Sequence, residues 1–178
     1  MRYTYPPYIL DLAKVLIQGL LFFMSRHQAV DNNARCYQTA INLLTRREHS
    51  RFELINKLRY KPFSEGVNLS ILCDRLEAAN YLSDTRFVEL FIHSRIIRGQ
   101  GEIKIRSVLH QRGIDTSMID LALLEADIDW LILAKQQRKK RFGITMPQEF
   151  KERARQSRFL ASRGFSGEII YLVFEFNS

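Results

Sequence analysis

Apolar residues recur at intervals of three and four positions through most of this chain, the spacing that places side chains on one face of an α-helix. One predicted helix carries its apolar face on Ile103, Ile105, Val108 and Leu109. The next predicted helix carries it on Met118, Ile119, Ala122 and Leu123. Strand-like alternation arises only in IIYLVFEF (169–176), and the place of this segment in the pattern favours a helix there too.

The stretch between those two helices occurs three times. LRYKPFS begins at Leu58, LHQRGID at Leu109 and LASRGFS at Leu160, so the copies are 51 residues apart. The spacing is not rigid, because DTRF (84–87) resembles DIDW (127–130) at an offset of 43 residues. A motif that recurs at a long, nearly regular period predicts an array of similar small units.

Each copy has the residues expected at a joint between two helices. In the second copy, Gly113 can adopt the left-handed conformation that ends a helix, and Asp115 can cap the next helix. Gly164 and Ser166 take the same places in the third copy. The first copy has Pro62, which stops a helix because its ring clashes with the preceding turn and it lacks an N–H donor.

Other signals predict the remaining helices of each unit. A capping box at 50–53 and a glycine at position 101 begin the middle helices of the first two units. A first helix precedes the middle helix of each unit, at 36–47, 85–98 and 129–141. We therefore predict an all-α protein of three tandem three-helix repeats that form an elongated, curved array. The predicted divisions are an N-terminal extension (1–33) and repeats at 34–83, 84–126 and 127–178.

The net charge of +8 comes from the C-terminal third of the chain. Residues 135–163 hold ten Lys and Arg against two Glu, whereas charges in the rest of the chain balance. Residues 115–130 have the opposite bias, with five carboxylates and no Lys or Arg. A basic patch attracts phosphate backbones or acidic protein surfaces. Two cysteines, Cys36 and Cys73, are too few for a disulfide framework, which favours a reducing, cytoplasmic location.

Residues 15–24 (VLIQGLLFFM) form an apolar run near the N-terminus. Ten residues cover about half of a bilayer core, and SRHQAV is a poor cleavage site for a signal peptide. The favoured interpretation is a helix that packs on the body or precedes it. Membrane attachment, or a non-native segment before Met24, are the alternatives.

Residues with catalytic or metal-binding chemistry show no spacing typical of an active site. The histidines form no HExxH or other metal motif; they are His27, His49, His93 and His110. GQG (99–101) follows a helix rather than a strand and lacks the third glycine of a phosphate loop. Trp130 lies on a helix face with Leu133 and is expected in the core. These residues therefore indicate no active site and no metal site.

Basic residues recur at the end of the first helix of each unit. Arg95 and Arg98 occupy the positions that Arg138 and Arg141 hold in the next unit, and residues 46–47 close the first. A solvated helix face is the simpler interpretation of RKKR (138–141). A basic helix end in every unit would instead form a stripe along the array, which suits a long polymeric partner better than a small ligand.

Several motifs resemble those of the RecX family, bacterial regulatory proteins of the RecA recombinase. These motifs occur here in family order as REHSRFEL (47–54), YLSDTRF (81–87), GQGEIKI (99–105), LHQRGI (109–114) and DIDW (127–130). The motifs are specific in combination, and the resemblance spans roughly residues 34–175. Residues 8–24 depart from the family pattern.

The resemblance implies a non-enzymatic protein without a cofactor, built of three three-helix repeats, that lies in the groove of RecA filaments on DNA. Such proteins inhibit filament extension and lower ATPase, strand-exchange and co-protease activity, which modulates DNA repair and the SOS response. The family has no catalytic residues to transfer, so the predicted partner-binding residues are basic positions in the matched motifs and the basic C-terminal third. They are Arg95, Arg98, Lys104, Arg106, Arg112, Arg138, Lys139, Lys140, Arg141, Lys151, Arg153, Arg155, Arg158 and Arg163.

Single- or double-stranded DNA is a further candidate partner, mainly through the basic C-terminal third. We expect a monomer that uses no small-molecule substrate and no membrane. The alternative function is a helix-turn-helix-like protein that acts directly on DNA without RecA, since two helices joined through a glycine turn also describe that motif.

Overall fold

The structure, a computed structural model, describes residues 7–175, and it contains no strand in that range. The α-helices are α1 (Pro7–Leu44), α2 (Arg51–Arg59), α3 (Leu69–Ala78), α4 (Asp84–Ile97), α5 (Glu102–Gln111), α6 (Thr116–Glu125), α7 (Trp130–Phe142), α8 (Phe150–Arg163) and α9 (Gly167–Glu175). A short 3₁₀ helix, Pro62–Ser64, lies between α2 and α3. The predicted all-α class is confirmed, and residues 169–175 are helical as expected.

The predicted helix joints form as the local signals require. Gly113 and Gly164 have φ angles of +76° and +92°, which a glycine adopts without the penalty of a Cβ atom. The Asp115 carboxylate accepts a hydrogen bond from the Met118 N–H at 2.9 Å, and this caps α6. The Ser166 hydroxyl accepts from the third backbone N–H beyond it at 3.3 Å, which caps α9.

The first helix is longer than predicted. Helix α1 is continuous from Pro7 to Leu44, so the predicted helix start at residue 36 is wrong. Residues 25–35 contain no glycine or proline, so nothing there interrupts a helix that has already started. Residues 1–6 and the side chains of residues 7–17 lie outside the described part of the chain. The packing of residues 15–24 is therefore described only in part. Four apolar side chains of that region are described and exposed: Leu20, Leu21, Phe22 and Met24.

The chain forms two compact units. The first comprises residues up to 47 together with 54–81, and the second comprises 48–53 together with residues from 82 onward. Within the first unit, α1 covers the 3₁₀ helix. The Arg35 guanidinium lies 4.8 Å from the centre of the Phe63 ring, and the Cys36 thiol donates to the Phe63 carbonyl at 3.5 Å.

The second unit contains two apolar clusters, one formed by α4–α6 and one by α7–α9. Ile96 and Trp130 pack against both clusters, which confirms the core position predicted for Trp130. The apolar faces were not predicted completely. Ile103 and Leu90 are more than half exposed, because neighbouring helices cover the other sides of α5 and α4.

The joints are also contact points within the second unit. The Ser50 hydroxyl, at the start of α2, donates to the Arg112 carbonyl at 2.7 Å. In the same way, the Gly101 N–H, at the start of α5, donates to the Arg163 carbonyl at 2.9 Å. Gly101 lies 51 residues after Ser50, and Arg163 lies 51 residues after Arg112. The same docking contact is therefore used twice.

The joint glycines are required by this docking as well as by their φ angles. A Cβ atom on Gly113 would lie 2.5 Å from the Phe52 Cβ, and one on Gly164 would lie 2.4 Å from the Lys104 Cβ. Both distances are far shorter than a van der Waals contact between carbon atoms. The repeated motif therefore specifies both a turn and the surface on which another helix begins.

Candidate partner-binding surface

Two of the predicted partner-binding arginines meet at the ring of Phe91, which is buried in the α4–α6 cluster. The Arg95 guanidinium carbon lies 4.5 Å from the ring centre, and that of Arg112 lies 5.1 Å from it. Arg95 is four residues after Phe91 on α4, whereas Arg112 arrives from the end of α5. Stacking on the ring holds both cations in defined positions.

The electrostatics of Arg95 are unfavourable unless an anion is near. Burial lowers the pKa of Arg95, and the charges of Arg98 and Arg112 lower this pKa further. The Arg95 Nε is buried and makes no hydrogen bond within residues 7–175. The side chain as a whole is partly exposed, so a carboxylate or phosphate could stabilise the charge by accepting from the Nη atoms, which are not buried.

Two further arginines adjoin this pair. Arg163 Nη1 donates to the Arg98 carbonyl at 2.7 Å, which brings the end of α8 to the end of α4. We call Arg95, Arg98, Arg112 and Arg163 the arginine cluster. Each member lies in the last turn of a helix or directly after it, where the helix dipole favours a cation. Glu53 compensates part of the charge through its 3.1 Å ion pair with Arg112.

A larger set of predicted residues is exposed on α7 and α8. They are Lys139, Lys140, Arg141, Lys151, Arg153, Arg155 and Arg158. The Arg155 guanidinium lies 5.5 Å from the centre of the Phe142 ring, which makes an edge contact with Phe159 at 5.3 Å. Arg163 lies 5.1 Å from the other phenylalanine, Phe159. Arginine and phenylalanine side chains therefore form a continuous row from α8 back to the arginine cluster.

Two predicted residues of α5 have partners inside the protein. Arg106 forms ion pairs with Glu102, at 2.7 Å, and with Asp120. Burial acts to lower the pKa of Arg106, but hydrogen bonds to Asp120 and Glu102 outweigh it and raise that pKa. The Lys104 ammonium donates to the Ser162 carbonyl at 3.3 Å. Both side chains contribute to contacts between helices.

The structure places Arg138 away from the surface. Its side chain is only 4% exposed, and burial lowers its pKa. The guanidinium donates to Gln156 Oε1 at 2.8 Å and to the backbone carbonyls of residues 143–145. Arg138 therefore holds the loop after α7 in place, and this burial argues against the direct partner contact predicted for it.

We expect Arg138→Ala to lower the free energy of unfolding by about 2–4 kcal/mol, because it leaves the Gln156 oxygen and the loop carbonyls without their donor. The exposed neighbour Arg141 provides the control, and Arg141→Ala should cost about 0.5 kcal/mol or less. Urea unfolding followed by circular dichroism measures both values. Similar losses for the two variants would contradict a structural role for Arg138.

Comparison with known proteins identifies the family. Three domain families match this chain: RecX, first three-helix domain, at residues 36–67; RecX, second three-helix domain, at 83–123; and RecX, third three-helix domain, at 127–174. The chain belongs to the RecX family. This confirms the family that the sequence motifs resemble and the three three-helix repeats that the sequence predicts.

Individual RecX proteins show the same relationship. The regulatory protein RecX of Halorhodospira halophila is 40% identical over 72% of this chain and 80% of its own length. That of Pseudomonas entomophila is 40% identical over 79% of this chain and 90% of its own. The crystal structure of RecX from Lactobacillus salivarius matches 83% of this chain and 97% of its own, with a TM-score of 0.69 and 20% identity. The structural match shows a common fold.

Sequence reasoning missed the aromatic side chains that organise this RecX surface. Phe91 and Arg95 are four residues apart on one helix, a spacing that could have indicated their contact. The approach of Arg112 to the same ring depends on how α5 packs, and no local signal shows it. Within the described residues, no group of His, Cys, Asp and Glu could hold a metal ion, and no helix has the length and apolar character needed to cross a membrane.

Proposed function

We propose that this chain binds RecA filaments on DNA in the cytoplasm and inhibits their extension, ATPase, strand-exchange and co-protease activity, thereby modulating DNA repair and the SOS response. Its relatives are named regulatory proteins, which supports a regulatory rather than an enzymatic role. The observation that carries the proposal is the arginine cluster. It concentrates cationic charge at the contact between α4, α5 and α8, where the partly exposed Arg95 feels the charges of Arg98 and Arg112.

The geometry suits an acidic partner. A guanidinium can bind a carboxylate or phosphate through two parallel hydrogen bonds, and stacking on Phe91 limits the entropy lost when it does so. The exposed basic residues of α7 and α8 add long-range attraction to a phosphate backbone. A molecule bound along the filament in this way would oppose the addition of subunits and slow ATP hydrolysis.

DNA-dependent ATP hydrolysis by RecA tests the proposal. We expect substoichiometric amounts of this chain to suppress hydrolysis. Replacing Lys139, Lys140 and Arg141 with Glu should weaken inhibition about tenfold or more, because attraction to an acidic partner becomes repulsion. Circular dichroism should show unchanged helicity, since all three side chains are exposed. Undiminished hydrolysis with an excess of the wild-type chain would contradict the proposed function.

A control variant separates the position of these charges from the net charge. Arg59, Lys61 and Arg75 are exposed in the first compact unit, and replacing them with Glu makes the same change in net charge. This control should inhibit nearly as well as the wild-type chain. Equal loss in both triple variants would show that the α7 residues have no specific role.

A helix-turn-helix-like protein acting on DNA without RecA is the alternative, favoured by the turn at Gly113 between α5 and α6. Tight, sequence-selective binding to duplex DNA in the absence of RecA would support it. Contacts dominated by phosphates would instead weaken steeply between about 50 and 200 mM salt, whatever the sequence.

A further inference from the structure

A groove of about 320 Å³ lies between α4 and α6, on elements that all belong to the second compact unit. Its floor is apolar and includes Val88, Met118 and Ala122. Glu89 lines it from α4 and Glu125 from α6. The groove therefore combines an apolar floor with carboxylates at its edge.

The charge of the groove is opposite to that of the whole chain. None of its lining residues is Lys or Arg, although the net charge of the chain is +8. Glu89 and Glu125 form no ion pair with the described residues. Asp115 also lines the groove, and its carboxylate already caps α6. Two exposed carboxylates are thus available to an incoming cation.

We propose that this groove docks a helix of a protein partner that has one apolar face and Lys or Arg at its edges. An apolar groove between two helices accommodates the side chains of an amphipathic helix, and the carboxylates at its edge would pair with the flanking cations. This inference rests on the proposed function, in which the partner is a RecA subunit. It assigns protein to the acidic groove and nucleic acid to the arginine cluster and the basic residues of α7 and α8.

Charge also favours a basic helix of another protein over DNA or a second copy of this chain as the occupant of the groove. The carboxylates repel phosphates, so DNA is disfavoured in the groove. A second copy of this chain could offer basic residues of α7, but two chains of net charge +8 repel each other at long range. A basic segment on a protein whose net charge is negative meets neither obstacle.

The charge variant Glu89→Lys/Glu125→Lys tests the groove directly. Its matched control is Glu65→Lys/Glu168→Lys, which changes two exposed carboxylates outside the groove and makes the same change in net charge. Fluorescence anisotropy of the labelled chain measures binding to purified RecA, with and without single-stranded DNA. We expect the groove variant to bind RecA about tenfold or more weakly and the control to stay within about twofold of wild type. Both variants should bind single-stranded DNA alone equally well.

A second pair of variants tests the apolar part of the groove. Leu121 lines the groove and is 56% exposed, whereas Leu124 is 78% exposed and lies outside it. Leu121→Ala should weaken RecA binding several-fold, and Leu124→Ala should not. Because both side chains are largely exposed, neither change should impair folding.

ATP hydrolysis measured in parallel separates this inference from the proposed function. If the chain binds RecA through the groove but does not inhibit hydrolysis, the inhibitor function is overturned and the groove assignment stands. If it inhibits hydrolysis and the groove and control charge variants bind RecA equally, the groove assignment is overturned. Absence of both binding and inhibition overturns both. Self-association of the wild-type chain in sedimentation, lost in the groove variant, would identify a second copy as the occupant and overturn the assignment to RecA.

Discussion

Gly164→Ala is expected to lower the free energy of unfolding by about 2–5 kcal/mol. The φ angle of +92° disfavours any residue with a Cβ atom, at a cost of about 1–2 kcal/mol. The added methyl group would also lie 2.6 Å from the Lys104 backbone nitrogen and 2.4 Å from the Lys104 Cβ. These atoms belong to a helix that is fixed by its own contacts, so relieving the overlap must move backbone and adds about 1–3 kcal/mol.

Gly66→Ala separates the two causes. Gly66 has a φ angle of +75°, but a Cβ atom there would have no neighbour within 4 Å. This variant should therefore lose only about 1–2 kcal/mol. Urea unfolding followed by circular dichroism measures both variants. An equal loss at the two glycines would show that the close approach of α5 to the joint contributes nothing to stability.

Leu109→Ala is expected to lower the free energy of unfolding by about 2–5 kcal/mol, because it removes a fully buried side chain and leaves a cavity. Leu109 is 0% exposed and lies in the α4–α6 cluster. Leu124→Ala removes the same atoms from a side chain that is 78% exposed, and it should cost about 0.5 kcal/mol or less. Thermal and urea unfolding check both values, and a small loss at Leu109 would contradict the packing described for its cluster.

The helix ends could be predicted because capping is local. Asp115 and Ser166 each accept from an N–H three residues further on, so a few letters of sequence contain the whole interaction. Side-chain burial depends on packing between helices and was predicted less well. Ile103 illustrates this difference: its backbone N–H donates to the Gly164 carbonyl at 3.0 Å, while its side chain stays largely exposed. Apolar spacing alone cannot distinguish these uses of one residue.

The basic character of the candidate surface could also be predicted, but the roles within it could not. Arg138 and Arg141 are both part of RKKR, yet the first is buried against Gln156 and the second is exposed. Arg95 and Arg112 come from different helices, and both stack on Phe91 because α5 packs against α4. Charge follows directly from sequence, whereas the compensation or desolvation of that charge depends on residues that are distant along the chain.

The docking of helix starts on joints also affects how such a chain can gain repeats by duplication. The segment 101–151 contains one helix start that docks on a joint, at Gly101, and one joint that receives such a start, at Arg112–Gly113. Ser50 docks on that joint, and Gly101 docks on the following one at Arg163. A tandem duplication of this segment would supply one new start together with one new joint, leaving none unmatched. The spacing between equivalent docking contacts therefore defines a coding segment that can be duplicated without leaving a helix start or a joint without its partner.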